Sequence, residues 1–257
     1  VAYETIRCEQ RGKVALITYD RQERRNAWNV PMYREIVAAI EAANADDGVG
    51  AIVITNDGPV FCSGVDFKAP PEEKDPVTGV RPNVATLSMA PDDSWIHLIQ
   101  RSKPVICAIN GAAIGAGITQ ILAADIRVGS RSSTYAFPFT SLGLMPEIGA
   151  TALLPQLIGL GRALDLCMTA GKVDADEALR IGLITRVFED AVLVDEAVAL
   201  AERLAGFPAF TLKKTKDLIY ANAVEDDINA YLGRETEAFV ELYRVNKAAR
   251  AAMADKV

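Results

Sequence analysis

Phe61-Cys62-Ser63-Gly64-Val65-Asp66 and, further along, Asn110-Gly111-Ala112-Ala113-Ile114-Gly115-Ala116-Gly117 decide the reading of this chain. Each starts as an apolar strand end and breaks into glycine and small residues, the composition of a sharp turn that exposes backbone N–H groups. The second also opens a helix, whose first amides have no intrahelical acceptor and whose dipole places partial positive charge there. Two such turns facing one another would hold one oxygen between two backbone donors, the arrangement that stabilises a developing oxyanion. A carbonyl or thioester substrate is the chemistry that needs it.

Working outward, Val105–Asn110 reads as the strand feeding the second turn, with a helix through Ala124 and a strand Ile126–Gly129 beyond it. Ala51–Thr55, bounded by Gly50 and Asp57-Gly58-Pro59, suits a buried strand before the first turn. Tyr3–Arg7 and Val14–Tyr19 flank Arg11-Gly12-Lys13 as a hairpin, and Pro31 starts a helix with Met32, Ile36, Val37 and Ile40 at helical spacing. The alternation argues α/β with a mostly parallel sheet. Lys68–Pro82, with Pro70, Pro71, Pro76, Gly79 and Pro82, marks a long loop, either a lid or plain surface. Beyond Asp190 the pattern is helical, over Leu193–Leu204, Leu212–Ala221 and Ile228–Met253. The expected organisation is a core over 1–200 carrying the site and a helical oligomerisation region over 201–257.

The 257 residues include 27 Lys plus Arg against 34 Asp plus Glu, a net charge of −7 that disfavours general nucleic-acid binding. No apolar run reaches the roughly 18 residues of a membrane span, and Val1–Gln10 lacks a signal-peptide pattern. Cys8, Cys62, Cys107 and Cys167 are too scattered for a metal site or a disulfide framework, and read as reduced thiols of a cytoplasmic protein. His97 is the one histidine and has no cysteine or serine partner in view, so it reads as a solvated or packed side chain rather than a catalyst. Gly111, Gly115 and Gly117 follow a strand, but their Gly-x-x-x-Gly-x-Gly spacing is not the dinucleotide fingerprint, and Asp125 comes too early to meet a ribose.

Taken in order, these pieces resemble the enoyl-CoA hydratase/isomerase, or crotonase, superfamily over nearly the whole chain. Asp20–Asn29 is similar to its N-terminal CoA segment, Phe61–Asp66 to its first oxyanion turn and Asn110–Gly117 to its second, while Asp125-Ile126-Arg127 and Gly143–Pro146 follow in the family's order. The resemblance implies a crotonase-like (ClpP/crotonase) α/β spiral of repeated ββα units. Its C-terminal helical region would assemble a homotrimer or a dimer of trimers. It implies Val65 and Ala116 as the oxyanion donors. It implies an acyl-CoA substrate, held by Arg24, Arg25 and Lys68 near the phosphates and by backbone of Arg24 and Asp66–Phe67. Ala27, Ser63 and Gly115 belong to the same stretches. No cofactor is expected beyond the coenzyme A of the substrate, and no metal. Lys213, Lys214 and Lys216 would either add phosphate contacts or form an exposed helix face.

The two glutamates of the family's hydratases fall on Thr119 and Phe139 in this chain, so water-adding chemistry lacks both its carboxylates. One carboxylate remains, Glu147, within Phe137–Gly149, a run that resembles the active-site segment of Δ3,Δ2-enoyl-CoA isomerases. There a single glutamate serves as base and then acid, and Met145, Pro146 and Ile148 would desolvate it. The alternative is that Glu147 caps or charges the first turn of a helix Ile148–Leu157. Asp66 reads as a structural or capping carboxylate, Asp125 as ordering amides or pairing with an arginine, and Asp174 and Asp176 as helix caps. The expected function is double-bond isomerisation of an enoyl-CoA. A hydratase or other crotonase reaction on an unusual acyl group, and a non-catalytic acyl-CoA binder, stand as alternatives.

Overall fold

The structure, a computed structural model, describes residues 3–74, 82–90 and 93–254, with the side chains of residues 85 and 246–254 outside that description. β1 (Ile6–Arg11) and β2 (Val14–Tyr19) form an antiparallel hairpin closed at Gly12-Lys13. The first strand therefore begins later than the expected Tyr3–Arg7. It is an edge strand with its last five residues exposed, so it carries little of the apolar signal by which strands are recognised. α1 (Val30–Ala45) is capped by Asn29, whose side chain takes the Met32 N–H at 2.9 Å, and buries Met32, Ile36 and Ile40. β3 (Ala51–Asn56) is buried along its whole length and β4 (Val60–Cys62) follows across a tight turn.

Then come α2 (Val84–Ser88), α3 (Trp95–Arg101), β5 (Val105–Ile109), β6 (Ala112–Ile114) and α4 (Ala116–Thr119). The helix expected to run to Ala124 is this short α4 continued as a 3-10 turn over Gln120–Ala123, and β6 lies inside what reads in sequence as a loop. β7 (Ile126–Ser130), β8 (Thr134–Ala136), α5 (Ala150–Ile158), α6 (Leu160–Met168), β9 (Lys172–Asp174), α7 (Ala175–Ile181), β10 (Arg186–Phe188) and α8 (Leu193–Ala205) complete the first compact unit, residues 1–205. α8 runs past residue 200, and the second unit, 206–257, holds α9 (Ala209–Asn222) and α10 (Ile228–Ala254). Residues 75–81 of the proline-rich stretch lie outside the described residues.

Six strands form one sheet in the order β1-β2-β3-β5-β7-β10, and four form a second in the order β4-β6-β8-β9. β3 and β4, β5 and β6, and β7 and β8 each send one strand to the large sheet and the next to the small one, after which the chain turns into helix. That is the ββα repeat of a crotonase spiral. All large-sheet pairs except β1–β2 are parallel, as are β4–β6 and β6–β8. The main core lies on one side of the large sheet and includes Trp28, Ile36, Ile54, Phe61, Trp95 and Phe137. On the other face Leu16, Val53, Ile106 and Val128 pack under Leu193, Ala197 and Ala201 of α8. Burial on both faces is why the parallel strands read as unbroken apolar runs. Among the described residues no helix is long and apolar enough to cross a membrane.

Candidate active site

β4 and β6 pair in parallel, Val60 with Ala112 and Cys62 with Ala113, so the chain leaves both strands at the same end. Both glycine turns emerge there. Gly64 sits at φ +103°, closed to other residues without strain, and a Cβ on it would lie 3.6 Å from the Ala116 nitrogen. Gly117 packs directly on the end of β4, where an added Cβ would meet the Cys62 carbonyl oxygen at 2.2 Å. Val65 forms a bridge with Trp28: the Trp28 N–H donates to Gly64 O and the Asp66 N–H to Trp28 O, each at 2.8 Å. In a parallel bridge the central residue turns its own N–H the other way. The Gly115 carbonyl takes the N–H groups of Ile118 and Thr119 at 3.0 and 3.1 Å, which leaves the Ala116 N–H ahead of the first helical bond. Among the described residues neither the Val65 nor the Ala116 N–H donates to a protein acceptor. Because α4 is a single turn, its macrodipole adds little; what the two turns present is a pair of individual donors.

The Asp20–Asn29 stretch lies beside the first turn. The Ser63 N–H donates to Arg25 O at 3.1 Å and its hydroxyl to Arg24 O at 3.5 Å, while both arginine side chains are exposed. Arg25 and Asn26 are both left-handed, at φ 53° and 52°. Asn26 holds this bend: its side-chain oxygen takes the Arg21 N–H at 2.8 Å, and its amide donates to Asp57 O and Val60 O at 3.1 and 2.9 Å. Ala27 is buried, with its carbonyl accepting from Arg21 at 2.9 Å, and the same guanidinium grips Asp66 at 2.7 Å. Burial acts to raise the Asp66 pKa, but Arg21 and the Lys68 N–H at 2.9 Å hold the carboxyl below its ordinary value. Asp66 is thus a brace for the turn, as the capping reading expects, and its N–H is spent on Trp28. Asn26 and Arg21 were legible in sequence only as part of a polar segment. Phe67 is 78% exposed and the Lys68 side chain is also at the surface. A cavity of about 160 Å³ opens beside Val65, with Trp28, Asp66, Pro70, Glu72 and Val84 in its wall. In the second unit Lys213 pairs with Asp217 and Lys214 with Glu241, at 2.5 and 2.7 Å, and Lys216 is buried rather than part of an exposed face.

Glu147 is half-buried on the far side of the Gly143 turn, and burial raises its pKa. The next residue, Ile148, is fully buried at φ 54°, a conformation that costs a β-branched residue strain. The α5 N-cap is Gly149, and no acidic residue lies in the first turn, so Glu147 stands ahead of the helix instead of charging it. α5 packs against the Gln120–Ala123 turn that continues α4, and Ile96 of α3 fills the space over Gly149. Thr119 and Phe139 are both buried. The Thr119 hydroxyl lies 3.5 Å from Ala116 O, and Phe139 O takes the Leu142 and Leu144 N–H groups at 3.0 and 2.8 Å, shaping the turn that leads to Glu147. Burial pushes the Cys62 and Cys107 thiols up to about 12, so neither is a thiolate near neutral pH. His97 completes a capping box with Ser94 at the surface, and Asp125 takes the Val105 N–H at 2.7 Å. Among the described residues no group of side chains is arranged to hold a metal ion.

The enoyl-CoA hydratase/isomerase family profile matches residues 9–254. A probable enoyl-CoA hydratase from Rhizobium meliloti is 34% identical over 216 residues, covering 83% of this chain and 81% of that protein. The 1,2-epoxyphenylacetyl-CoA isomerase of Escherichia coli is 36% identical over 210 residues, covering 80% and 78%. A crystal structure of a probable enoyl-CoA hydratase/isomerase from Mycobacterium abscessus superposes with a TM-score of 0.82 at 33% identity, over 98% of this chain and 97% of that one. With two glycine turns leaving adjoining parallel strands at the same end and a match along almost its whole length, the chain belongs to the enoyl-CoA hydratase/isomerase family of acyl-CoA-processing enzymes.

Proposed function

We propose that the chain moves the double bond of a 3-enoyl-CoA into conjugation with the thioester, using Glu147 as its one acid and base. The observation that carries this is Glu147 itself: a half-buried carboxyl raised in pKa by desolvation, beside the strained Ile148. The hydratase carboxylate positions are Thr119 and Phe139. Glu147 takes the proton from C2, and the electron pair spreads over the thioester oxygen and C4. The Val65 and Ala116 N–H groups hold the oxyanion, an interaction worth about 3 kcal/mol per donor in transition-state stabilisation. Glu147 returns the proton at C4, so the C3–C4 double bond becomes C2–C3 with no net gain or loss of atoms. One carboxyl suffices because base and acid act in sequence.

Arg24, Arg25 and Lys68 are exposed, free to meet the CoA phosphates in this reading, and coenzyme A enters only as part of the substrate. A cytoplasmic homotrimer or pair of trimers belongs to the same reading. The exposed Leu142, Met145, Leu160, Leu164 and Met168 offer apolar surface that a second copy would cover. The E. coli relative named above isomerises a ring-bearing acyl-CoA, and that acyl class is the second reading. The deciding experiment follows formation of the conjugated thioester from 3-hexenoyl-CoA by wild type and Glu147→Gln. Conversion that collapses in the variant supports the assignment. Hydration of 2-hexenoyl-CoA by a protein inert toward the 3-enoyl isomer would reject it.

A further inference from the structure

The cavity of about 160 Å³ beside Val65 is walled by the Val65-Asp66 turn, the start of α1, residues 69–72 and the start of α2. Its apolar wall is stiff. Pro31, Pro70, Pro71 and Pro82 have φ fixed by their rings and carry no rotor that could swing aside. Val30 and Val84, both buried, are β-branched and restricted at χ1. Trp28 is fully buried, with the Tyr33 and Trp95 rings edge-on to it at centroid separations of 5.7 and 5.2 Å. Among the described residues no leucine or methionine lines the space, so it lacks the side chains that repack around different guests.

The polar side chains in the wall are engaged outside it. Asn29 accepts the Met32 N–H at 2.9 Å, and Asn83 the Thr86 N–H at 3.0 Å. Asp66 accepts from Arg21 at 2.7 Å and from the Lys68 N–H at 2.9 Å, and Glu72 faces Arg34 at 3.3 Å. None of these partners lines the cavity. The carboxylate and amide oxygens are thus spent on the protein itself, and what the space offers a guest is mainly hydrocarbon.

Volume then selects the guest. A dry cavity of about 150 Å³ takes a benzene molecule. A space of this size, with walls that do not yield, suits one six-membered ring and is too small for a long acyl chain. A ring also fills it without rotors to freeze, whereas an open chain of the same carbon count loses several on entry. We propose that the acyl group selected by this chain carries a six-membered carbocycle, seated in the cavity while the thioester oxygen rests at Val65. The location rests on the reading of Val65 as an oxyanion donor, and turnover rests on the isomerase reading. In cyclohex-1-enylacetyl-CoA the ring carbons joined by the double bond are C3 and C4. Glu147 removes a proton from C2, the double bond shifts to C2–C3, and the proton returns to C4 in the ring. The product, cyclohexylideneacetyl-CoA, is an isomer of the substrate, so no oxidant or reductant enters.

Calorimetric titration compares phenylacetyl-CoA with octanoyl-CoA, which have equal acyl carbon counts. Wild type should bind phenylacetyl-CoA about tenfold more tightly, and Val84→Phe, which fills the cavity, should erase that difference. Conjugated-thioester formation should show kcat/KM about tenfold higher for cyclohex-1-enylacetyl-CoA than for 3-octenoyl-CoA. Val84→Ala, which enlarges the same wall, carries the measurement if Val84→Phe does not fold. It should raise turnover of 3-octenoyl-CoA relative to the ring substrate. Phenylacetyl-CoA binding no tighter than octanoyl-CoA, or a preference untouched by either variant, would overturn the proposal. Ring-selective binding without isomerisation of any 3-enoyl-CoA would uphold the acyl class and reject the isomerase reading. Isomerisation of 3-octenoyl-CoA at or above the rate of the ring substrate would do the reverse.

Discussion

Gly117→Ala tests how closely the two donor turns must meet. The added Cβ would sit 2.2 Å from the Cys62 carbonyl oxygen, 2.9 Å from its carbon and 3.0 Å from the Cys62 Cβ. Two of these neighbours are backbone of β4, so no flexible side chain can swing away. To bring the 2.2 Å contact beyond 3.0 Å, α4 must retreat from β4 by at least 0.8 Å. The Ala116 N–H moves with α4 while Val65 stays with β4, so the gap between the donors widens by nearly the same amount. A misplacement of about 1 Å in a catalytic group costs on the order of 100-fold in rate. Overpacking of this kind costs about 1–3 kcal/mol in stability. The assay is conjugated-thioester formation from 3-hexenoyl-CoA, with thermal melting followed in parallel to show that the variant is folded. Gly161→Ala serves as the control, since nothing lies within 4 Å of its Cβ position and its φ is ordinary. A folded Gly117→Ala protein with kcat within about threefold of wild type would refute the reasoning, because the two turns would then not need to pack as closely as they do.

Glu147→Gln should lose turnover yet melt at a higher temperature than wild type near neutral pH. Burial raises the folded-state pKa of Glu147 above its unfolded value, so wild type is relatively more stable below the unfolded pKa and loses that as pH rises through the folded one. The difference in melting temperature should vanish in acid, and a pH-independent difference would contradict it. Asp66→Ala leaves the Arg21 guanidinium without its 2.7 Å partner in a pair whose side chains are 13% and 7% exposed, and should cost about 2–3 kcal/mol in urea unfolding. The depressed Asp66 pKa means that this contribution is present above the unfolded pKa and is lost as pH falls through the folded one, so the gap from wild type should close in acid. Arg25→Gly relieves a left-handed residue at φ 53° and should stabilise the fold by about 1 kcal/mol. It should also raise KM for acyl-CoA with kcat unchanged; an unaltered KM would take Arg25 out of the phosphate site.

Local chemistry made much of this protein readable from its residues in order. Ala51–Asn56 and Val105–Ile109 are apolar on both faces because parallel strands between packed layers must be, and that pattern needs no tertiary knowledge. Pro31 at the start of its helix and Asp174 ahead of Glu177 announce their helices through chemistry that acts within a few residues. Glycine at 64 and 117 likewise signals a demand on the backbone, though not which atom makes the demand.

What the order of residues does not carry is distance between segments far apart in the chain. β6 is three residues long and is a strand only because β4 and β8 lie on either side of it, so nothing local marks it. Arg21 and Asn26 look like members of a charged loop until β4 and Asp66 are placed beside them. Gln120 looks like any polar residue at a helix end until Tyr19 and Trp95 close around it. The strain at Ile148, the burial that lifts the Glu147 carboxyl and the meeting of the two glycine turns are all imposed by packing. The sequence by itself determined the α/β layering, the caps and the family motifs, because those rest on contacts within a few residues. Only the tertiary structure decided which turns pack together and which polar side chains brace them, because those contacts join residues separated by whole elements.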